Sequence, residues 1–275
     1  MILRVSVGIA SIFALFIGCS KIPTTQERVL TALSFLSDKN IVQKNIQTSS
    51  FTFFTLTKIT DTCKDMKVYI EGDGLAWITR RKISDDPTPL NPLAISLMNI
   101  DKSNCKVYIA RPCQYIKQEC CEKKYWTSDR FSTKIIQSFN EALDNLKVNH
   151  KNTSFTLVGY SGGGAVATLL SAKRKDVTKL ITVAGNIDTD AWVKLHHISA
   201  LSGSLNPANY TDKLDKTPQY HLIGKRDKIM PQDIFLSYKN RFKRKENIHD
   251  RLYDASHTKN WRKHYKHFLE TIKLD

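Results

Sequence analysis

The stretch TLVGYSGGGAVATLL, residues 156–170, decides the fold of this 275-residue chain. An apolar segment runs into a cluster of glycines around Ser161, and small and apolar residues follow. This order predicts a buried strand, a sharp turn and a helix, with the G-x-S-x-G spacing of a nucleophilic serine on a strained turn. The amino end of the helix would then face the serine and favour a developing negative charge there. The extra Gly164 suggests tight packing of this helix against its neighbours.

Two other kinds of glycine-rich loop fit this stretch less well. A phosphate-binding loop needs Lys and then Ser or Thr after its last glycine, whereas Ala165 follows here and the next lysine is Lys173. A dinucleotide-binding loop needs G-x-G-x-x-G, which Tyr160 and Ser161 interrupt. A purely structural turn stays open as an alternative. Whether Ser161 is a nucleophile therefore depends on whether the chain supplies a base and an acid for it.

Apolar strands alternate with helical segments from Lys67 to the C-terminus. This alternation predicts an α/β fold with a mostly parallel central sheet and helices on both faces. SFTFFTLTKI, residues 50–59, predicts a strand at an antiparallel edge of the sheet. Helices are expected over residues 28–37, over residues 127–146 with Thr127 or Ser128 as the N-cap, and over residues 258–272.

A serine nucleophile needs a base, and the base needs an acid that orients it. On a strand-turn-helix elbow their order along the chain is Ser, then Asp or Glu, then His. HLIGKRDKIMP places Asp227 just after a strand, and YDASHTKNW places His257 in the loop between the last strand and the last helix. Asp188 or Asp190, after the preceding strand, are the alternative acids. The other histidines after Asp227 lie in the last strand or on the last helix: His249, His264 and His267.

With GYSGG, GKRDKIMP and DASH in this order, residues 45–275 resemble an α/β-hydrolase. The resemblance implies a serine hydrolase that cleaves an ester, or less favourably an amide or thioester, through a covalent acyl-enzyme. It makes Ser161 the nucleophile, His257 the general base and then acid, and Asp227 the orienting carboxylate. No cofactor and no metal ion are expected.

The resemblance also implies an oxyanion hole. One donor is the backbone N–H of Gly162, and the other comes from a loop after an earlier strand, where the family often has His-Gly-x. In YIEGDGLAW, Glu71 stands in place of that histidine, so Asp73 or Gly74 is expected to supply the N–H. The two neighbouring carboxylates also leave open a metal ion, or a cationic group on the substrate, as an alternative.

The cysteines indicate disulfide bonds. IARPCQYIKQECCEKKYWTSDRFS resembles a loop of poorly characterised exported bacterial α/β-hydrolases, and the resemblance implies that Cys113 pairs with Cys121 or Cys120 beside the site. Cys63 and Cys105 precede KVYIEG and KVYIAR, which are expected to be neighbouring strands. A bridge between the starting ends of those strands is therefore expected.

Other residues of this loop, and a short cap, are expected around the pocket. Arg111, Arg130 and Trp126 face either the pocket or structural partners. Residues 186–217 replace the large lid of many lipases and suggest an accessible pocket. Three residues of this cap are candidates for lining it: Trp192, His196 and His197.

The N-terminus, MILRVSVGIASIFALFIGCS, predicts a lipoprotein-type signal peptide over residues 1–18. FIGC resembles a bacterial lipobox, which implies lipid attachment at Cys19 and anchoring at the cell envelope, on the periplasmic side of the outer membrane. Residues 19–44 are expected to form a tether and an N-terminal helix. A start-anchored transmembrane helix is the alternative, although the apolar run is short for a membrane span.

The formal net charge is +16, and the basic stretches KNRFKRKENIHDR and WRKHYKHF lie near the C-terminus. They are read as a solvated surface, with attraction to anionic lipids or acidic polymers as the alternative. No nucleic-acid-binding motif accompanies the charge, so the expected partner is a small-molecule or lipid ester. A non-catalytic lipoprotein that binds an envelope partner, and an acyltransferase, are the alternative functions; the sequence does not indicate the oligomeric state.

Overall fold

Eight strands form one mixed sheet in the computed structural model, which describes residues 21–59 and 63–272. The sheet order is β1-β4-β6-β5-β7-β8-β9-β10, and β2 pairs with β3 in a separate hairpin. The bounds of the strands are β1 (Val42–Gln43), β2 (Ile46–Gln47), β3 (Thr52–Phe53), β4 (Thr55–Ile59), β5 (Asp65–Ile70), β6 (Cys105–Ile109), β7 (Ser154–Tyr160), β8 (Val177–Val183), β9 (Gln219–Gly224) and β10 (Ile248–Tyr253).

Six neighbouring strands of this sheet are parallel to one another: β6, β5, β7, β8, β9 and β10. Strand β4 is antiparallel to β6, and β1 is antiparallel to β4. The predicted mostly parallel sheet with an antiparallel edge is therefore confirmed. The carboxyl ends of the parallel strands meet at one edge of the sheet, where such folds bind their ligands.

Helices cover both faces of the sheet. Their bounds are α1 (Thr25–Ser34), α2 (Leu93–Ile100), α3 (Thr133–His150), α4 (Gly162–Lys173), α5 (Thr189–His196), α6 (Gln232–Asn240) and α7 (Trp261–Thr271), with short 3-10 helices at Lys123–Trp126 and Pro207–Lys213. Alternate side chains of β5 point to opposite faces: Val68 and Ile70 join the core under α3 and α4, and Tyr69 joins the core under α2 and α7. The prediction of helices on both faces of the sheet is therefore confirmed.

The third helix begins later than the sequence predicts. Its N-cap is Ser132, whose Oγ accepts a hydrogen bond from the amide of Ile135, so the expected N-cap at Thr127 or Ser128 is wrong. Thr127 instead ends the preceding 3-10 helix. The residues between stay in a loop because Ser204 donates a hydrogen bond to the carbonyl of Ser128 and the side chain of Arg130 is bound elsewhere.

The N-terminal part of the described chain is fastened to the body. Helix α1 begins before the predicted start at Arg28, because Thr24 and Glu27 form a capping box. Arg28 is buried and forms an ion pair with Asp86. The main sheet already includes β1, which lies in the segment expected to be tether and helix. The predicted signal peptide and Cys19 lie outside the described residues.

Both expected disulfide bonds are present in the structure. Cys63 is joined to Cys105 at the starting ends of β5 and β6, and Cys113 is joined to Cys121. Cys120 is free, and its Sγ lies 3.3 Å from the carbonyl oxygen of Ser50. Within residues 21–59 and 63–272, none of the helices has the length and apolar character that crossing a bilayer would require.

Candidate active site

Ser161 lies on a strained turn between β7 and α4. Its φ and ψ angles are 50° and −120°, a conformation that residues with a side chain rarely adopt. The turn is held from the next strand and its loop: the amide of Ser161 donates to the carbonyl of Val183 at 3.0 Å, and the carbonyl of Ser161 accepts from the amide of Asn186 at 3.0 Å. The strain is thus maintained by hydrogen bonds that connect the turn to β8.

Close backbone packing explains the extra glycine. A Cβ at Gly164 would lie 2.7 Å from the Cα of Gly185, so α4 approaches the loop after β8 more closely than a side chain would permit. The expected tight packing of this helix is confirmed. The packing brings the amino end of α4 directly behind Ser161.

His257 and Asp227 lie in line with this serine. The Oγ of Ser161 is 3.0 Å from Nε2 of His257, and Nδ1 of His257 is 2.9 Å from Oδ2 of Asp227. The other carboxylate oxygen of Asp227 accepts hydrogen bonds from the amides of Ile229 and Met230, each at 2.8 Å. The carboxylate is therefore an acceptor on both sides, which places the Nδ1 proton of His257 between the two residues.

The loop of His257 is fixed by its neighbours. The carbonyl of His257 accepts a hydrogen bond from the Tyr160 hydroxyl at 3.2 Å and from Nε1 of Trp261 at 3.0 Å. The ring of Tyr160, the residue before the serine, lies 5.4 Å from the imidazole. The elbow and the histidine loop are thus in direct contact, which limits the movement of the imidazole.

The alternative acids lie elsewhere. Asp188 is the N-cap of α5, accepts a hydrogen bond from Ser237 at 2.7 Å and forms an ion pair with Arg241 at 3.0 Å. Asp190 accepts a hydrogen bond from Asn206 at 2.9 Å. Both carboxylates therefore have structural partners, and neither contacts His257.

The other candidate histidines are also placed away from Ser161. His196 lies 2.8 Å from the carbonyl of Ile229, at the loop that carries Asp227, and His197 is the exposed end of α5. The remaining three have contacts of their own or exposed positions on the last strand and helix: His249 stacks on Tyr220, His264 stacks on Tyr253, and His267 is exposed.

Two arginines hold the carboxylate of Asp73. Nη1 of Arg111 donates to Oδ1 at 2.8 Å, and Nη1 of Arg130 donates to Oδ2 at 2.7 Å. Burial would raise the pKa of the Asp73 carboxyl, but the two guanidinium groups hold it below its ordinary value. The Asp73 carboxylate, one of the two acids for which a metal ion or a cationic substrate group was the alternative, is thus already paired with two cations of this chain.

The same carboxylate lies against the nucleophile elbow. A Cβ at Gly162 would lie 2.1 Å from Oδ1 of Asp73, so residue 162 has to be glycine for this contact to exist. Gly74, with φ of +65°, packs instead on the carbonyl of Pro87 and on the Gln114 side chain. Of the two expected second oxyanion donors, Asp73 is therefore the one beside the elbow.

Glu71 is buried and directly follows β5. Its carboxylate accepts a hydrogen bond from the amide of Gly72 at 2.9 Å and one from the Tyr108 hydroxyl at 3.3 Å. Burial raises the pKa of this carboxyl to about 7, against the opposing effect of these hydrogen bonds. The Glu71 side chain thus holds the start of the loop after β5 through Gly72.

The disulfide-closed loop after β6 also supports the loop of Gly72 and Asp73. Nε2 of Gln114 donates to the carbonyl of Gly72 at 3.0 Å, and its Oε1 accepts from the amide of Arg111 at 3.0 Å. The sequence alone did not indicate a role for Gln114, although it lies in the segment IARPCQYIKQECCEKKYWTSDRFS that resembles a loop of other hydrolases. Trp126 is buried and donates to the carbonyl of Ser84, so its role is packing.

One family model and many solved structures match this chain. The lipase (class 3) family matches residues 101–184, less than half of the chain, and this segment includes β6, α3, the elbow and β8. No curated protein matches the sequence.

The solved structures that resemble this chain include two esterases and a putative lipase. The esterase Pf2001 from Pyrococcus furiosus is 16% identical with a TM-score of 0.58 over 84% of this chain and 91% of that one. Est1E from Butyrivibrio proteoclasticus, with ferulic acid bound, is 11% identical with a TM-score of 0.59 over 82% and 98%. A putative lipase from Acinetobacter baumannii is 10% identical with a TM-score of 0.55 over 88% and 92%. These likenesses confirm the predicted fold, and the lipase segment supports the predicted enzyme class.

Proposed function

We propose that this protein, which has the α/β-hydrolase fold, is a serine hydrolase that cleaves esters through an acyl-enzyme at Ser161. The observation that carries the proposal is the hydrogen-bonded line from Ser161 through His257 to Asp227, with steps of 3.0 and 2.9 Å. Three loops at the carboxyl ends of β7, β9 and β10 supply these residues. The match of the surrounding segment to class 3 lipases supports the same activity.

The first step forms the acyl-enzyme. Asp227 keeps the proton of His257 on Nδ1, so the lone pair on Nε2 accepts the hydroxyl proton of Ser161. The Oγ then forms a bond to the carbonyl carbon of the ester, and the π electrons move to the carbonyl oxygen. When this tetrahedral intermediate collapses, the bond to the leaving alcohol breaks and the alcohol takes the proton from Nε2.

The second step releases the acid. A water molecule gives a proton to Nε2 of His257 and adds to the acyl carbon, and collapse of the second tetrahedral intermediate returns that proton to Ser161. If an alcohol takes the place of the water, the same chemistry gives acyl transfer. Product analysis with an added alcohol separates the two outcomes.

The oxyanion is stabilised by backbone amides. The amide of Gly162 lies at the amino end of α4, where the helix dipole favours negative charge. Asp73 provides the second amide in this proposal, because its carboxylate contacts Gly162 and the loop is held by Arg111, Arg130 and Gln114. The substrate is a small-molecule or lipid ester, in line with the esterases and lipases that share the fold.

The proposed place of action is the bacterial cell envelope. A lipid at Cys19 would attach the chain to a membrane, with the residues before α1 as a tether. Mass spectrometry of the protein purified from its membrane fraction should find an acylated N-terminal Cys19. An uncut N-terminus or an unmodified Cys19 would contradict the anchor, and would leave the hydrolase proposal as it stands.

The activity is tested with a fluorophosphonate probe, which reacts with an activated serine. The wild-type protein should be labelled and should hydrolyse para-nitrophenyl esters, whereas Ser161→Ala should lose both. Ser154→Ala is the matched control, because Ser154 lies at the opposite end of the same strand and should leave labelling at the wild-type level. A wild-type protein that resists the probe would favour the non-catalytic alternative; an S161A variant that still reacts would refute the nucleophile.

A further inference from the structure

The two arginines beside Asp73 carry more charge than this one carboxylate neutralises. Arg111 and Arg130 are both more than nine-tenths buried. Among residues 21–59 and 63–272, Asp73 is the carboxylate within ion-pair distance of either guanidinium. Two positive charges and one negative charge leave a buried cluster with a net charge of about +1, and buried charges in proteins are normally paired.

The other N–H groups of the two guanidinium groups do not donate hydrogen bonds to carboxylates of the described residues. Arg111 donates to the carbonyl of Arg130, and its Nε is buried without an acceptor. Nε of Arg130 donates to the carbonyl of Thr127 at 2.7 Å, and in the described part of the chain no acceptor contacts its Nη2. Burial and the repulsion from Arg130 lower the pKa of the Arg111 guanidinium although Asp73 lies beside it. The cluster therefore favours one more negative charge.

This surplus charge lies beside the turn that carries Ser161, because Asp73 joins the two arginines to that turn. Asp73 contacts Gly162, the residue after the serine. On the other side, the guanidinium of Arg130 lies over the ring of Trp192 at 5.7 Å, and Nε1 of Trp192 donates to the carbonyl of Ile229 at 3.1 Å. Ile229 belongs to the loop that carries Asp227. The cluster thus connects the oxyanion loop to the loop of the orienting acid.

We infer that the natural ester carries an anionic group, a carboxylate or a phosphate, that binds to Arg130 beside Ser161. The inference rests on the proposed esterase activity and names its substrate class. An anion at this place pairs the surplus positive charge and accepts a hydrogen bond from Nη2 of Arg130. The planar guanidinium group suits carboxylate and phosphate oxygens in this geometry. A neutral ester leaves the buried charge unpaired, so the cluster discriminates in favour of the charged substrate.

The test compares matched esters with and without a charge. In the acyl arm, para-nitrophenyl hydrogen adipate is compared with para-nitrophenyl hexanoate; in the alcohol arm, meta-carboxyphenyl hexanoate is compared with meta-carbamoylphenyl hexanoate. The wild-type kcat/KM should favour the anionic member of at least one arm by roughly tenfold to a hundredfold, the size of a hydrogen-bonded charge pair. The arm that shows the preference assigns the anion to the acid or to the alcohol.

Variants of Arg130 then locate the preference. Arg130→Met, which keeps the contact with Trp192, should reduce the preference to about one, and Arg130→Lys should keep part of it because the charge remains. Arg174→Met is the matched control: the Arg174 side chain is only 7% exposed, is paired with aspartates and lies over an aromatic ring, and it is at the far end of α4. It should keep the wild-type preference.

Three results would overturn the inference. The first is a wild-type enzyme with no preference for the anionic ester in either arm, a result that needs no variant to fold. The second is an Arg130→Met variant that loses the same factor on both members of a pair, which would assign the charge to the oxyanion or to loop structure. The third is an unchanged preference in Arg130→Met. Failure of the esterase proposal looks different, because Ser161→Ala would then hydrolyse all four esters like the wild type.

Discussion

Each end of α4 carries a cluster of arginines and aspartates, and the two clusters differ in their charge balance. At the start of the helix, Asp73 faces two guanidinium groups. At its end, the C-cap Arg174 faces Asp144 at 2.7 Å and Asp176 at 2.8 Å, and Lys147 also pairs with Asp176 at 2.7 Å. An arginine in each cluster lies over a phenylalanine ring: Arg111 over Phe131 at 5.2 Å, and Arg174 over Phe155 at 5.3 Å.

The comparison shows how structure and recognition place different demands on similar residues. At the end of α4, two cations meet two carboxylates, so the cluster is neutral and joins α3 to the beginning of β8. At the start of α4, beside Ser161, one positive charge remains without a partner. A neutral cluster is sufficient for holding helices together, whereas a cluster that binds an anion has to keep an unpaired charge.

The largest expected effect is on catalysis at the start of α4. Asp227→Asn should lower kcat by about 10³–10⁴-fold, because the amide no longer holds His257 with its proton on Nδ1. Steady-state hydrolysis of a para-nitrophenyl ester measures this. Asp176→Asn, the same change in the cluster at the other end of the helix, should keep kcat within about twofold. Equal losses of kcat in both variants would remove the functional contrast between the two ends.

The next effect is on stability and separates the two clusters directly. Asp73→Ala leaves two buried guanidinium groups unpaired and should lower the free energy of unfolding by about 3–5 kcal/mol. Asp144 is 57% exposed, so Asp144→Ala should lower it by only about 0–1 kcal/mol. Urea unfolding of both variants checks this. If both variants lose a similar free energy of unfolding, burial of the two guanidinium groups does not make the Asp73 ion pairs more stabilising than the exposed pair of Asp144.

A pH dependence should distinguish Glu71 from Asp73 although only one residue separates them. The folded pKa of Glu71 is about 7 and its ordinary value is 4.5, so the folded state holds one more proton between these two values. The free energy of unfolding should therefore fall by about 3 kcal/mol as the pH rises through this window. The lowered pKa of Asp73 acts in the opposite direction: its contribution is present at higher pH and is lost as the pH falls through the folded pKa.

Glu71→Gln should remove the loss of stability between pH 4.5 and about 7, because the amide does not titrate. Urea unfolding of this variant and of the wild type at several pH values gives the difference. A constant difference between the two proteins across this range would show that the Glu71 carboxyl does not change its proton binding on folding.

The smallest expected effect lies at the end of α4. Lys147 is 38% exposed in its ion pair with Asp176, so Lys147→Met should change the free energy of unfolding by less than about 1 kcal/mol. The kcat/KM for anionic and neutral esters should stay at the wild-type values. A loss of the preference for the anionic ester in this variant would show that the overall positive charge attracts the substrate, and that the cluster at Asp73 does not.

Local sequence patterns predict much of the candidate site. The strand, the glycines and the helix around Ser161 predicted the elbow, and the chain order of Ser161, Asp227 and His257 predicted which loops meet at the edge of the sheet. These signals are strong because a parallel sheet brings the carboxyl ends of its strands together whatever the distance along the chain. The start of α3 was missed, because the contacts that keep residues 128–131 out of the helix come from distant residues.

By itself the sequence determined the type of sheet, the strand-turn-helix elbow at Ser161 and the chain order of the candidate triad, since these depend on periodicity, turn residues and chain direction. Only the tertiary structure decided that Asp73 is enclosed by Arg111 and Arg130 and lies against Gly162. Three separate segments of the chain supply these four residues, after β5, after β6 and at the start of α4. No local pattern predicts how their charges balance. Charge balance depends on distance and burial, and both arise only when the chain has folded.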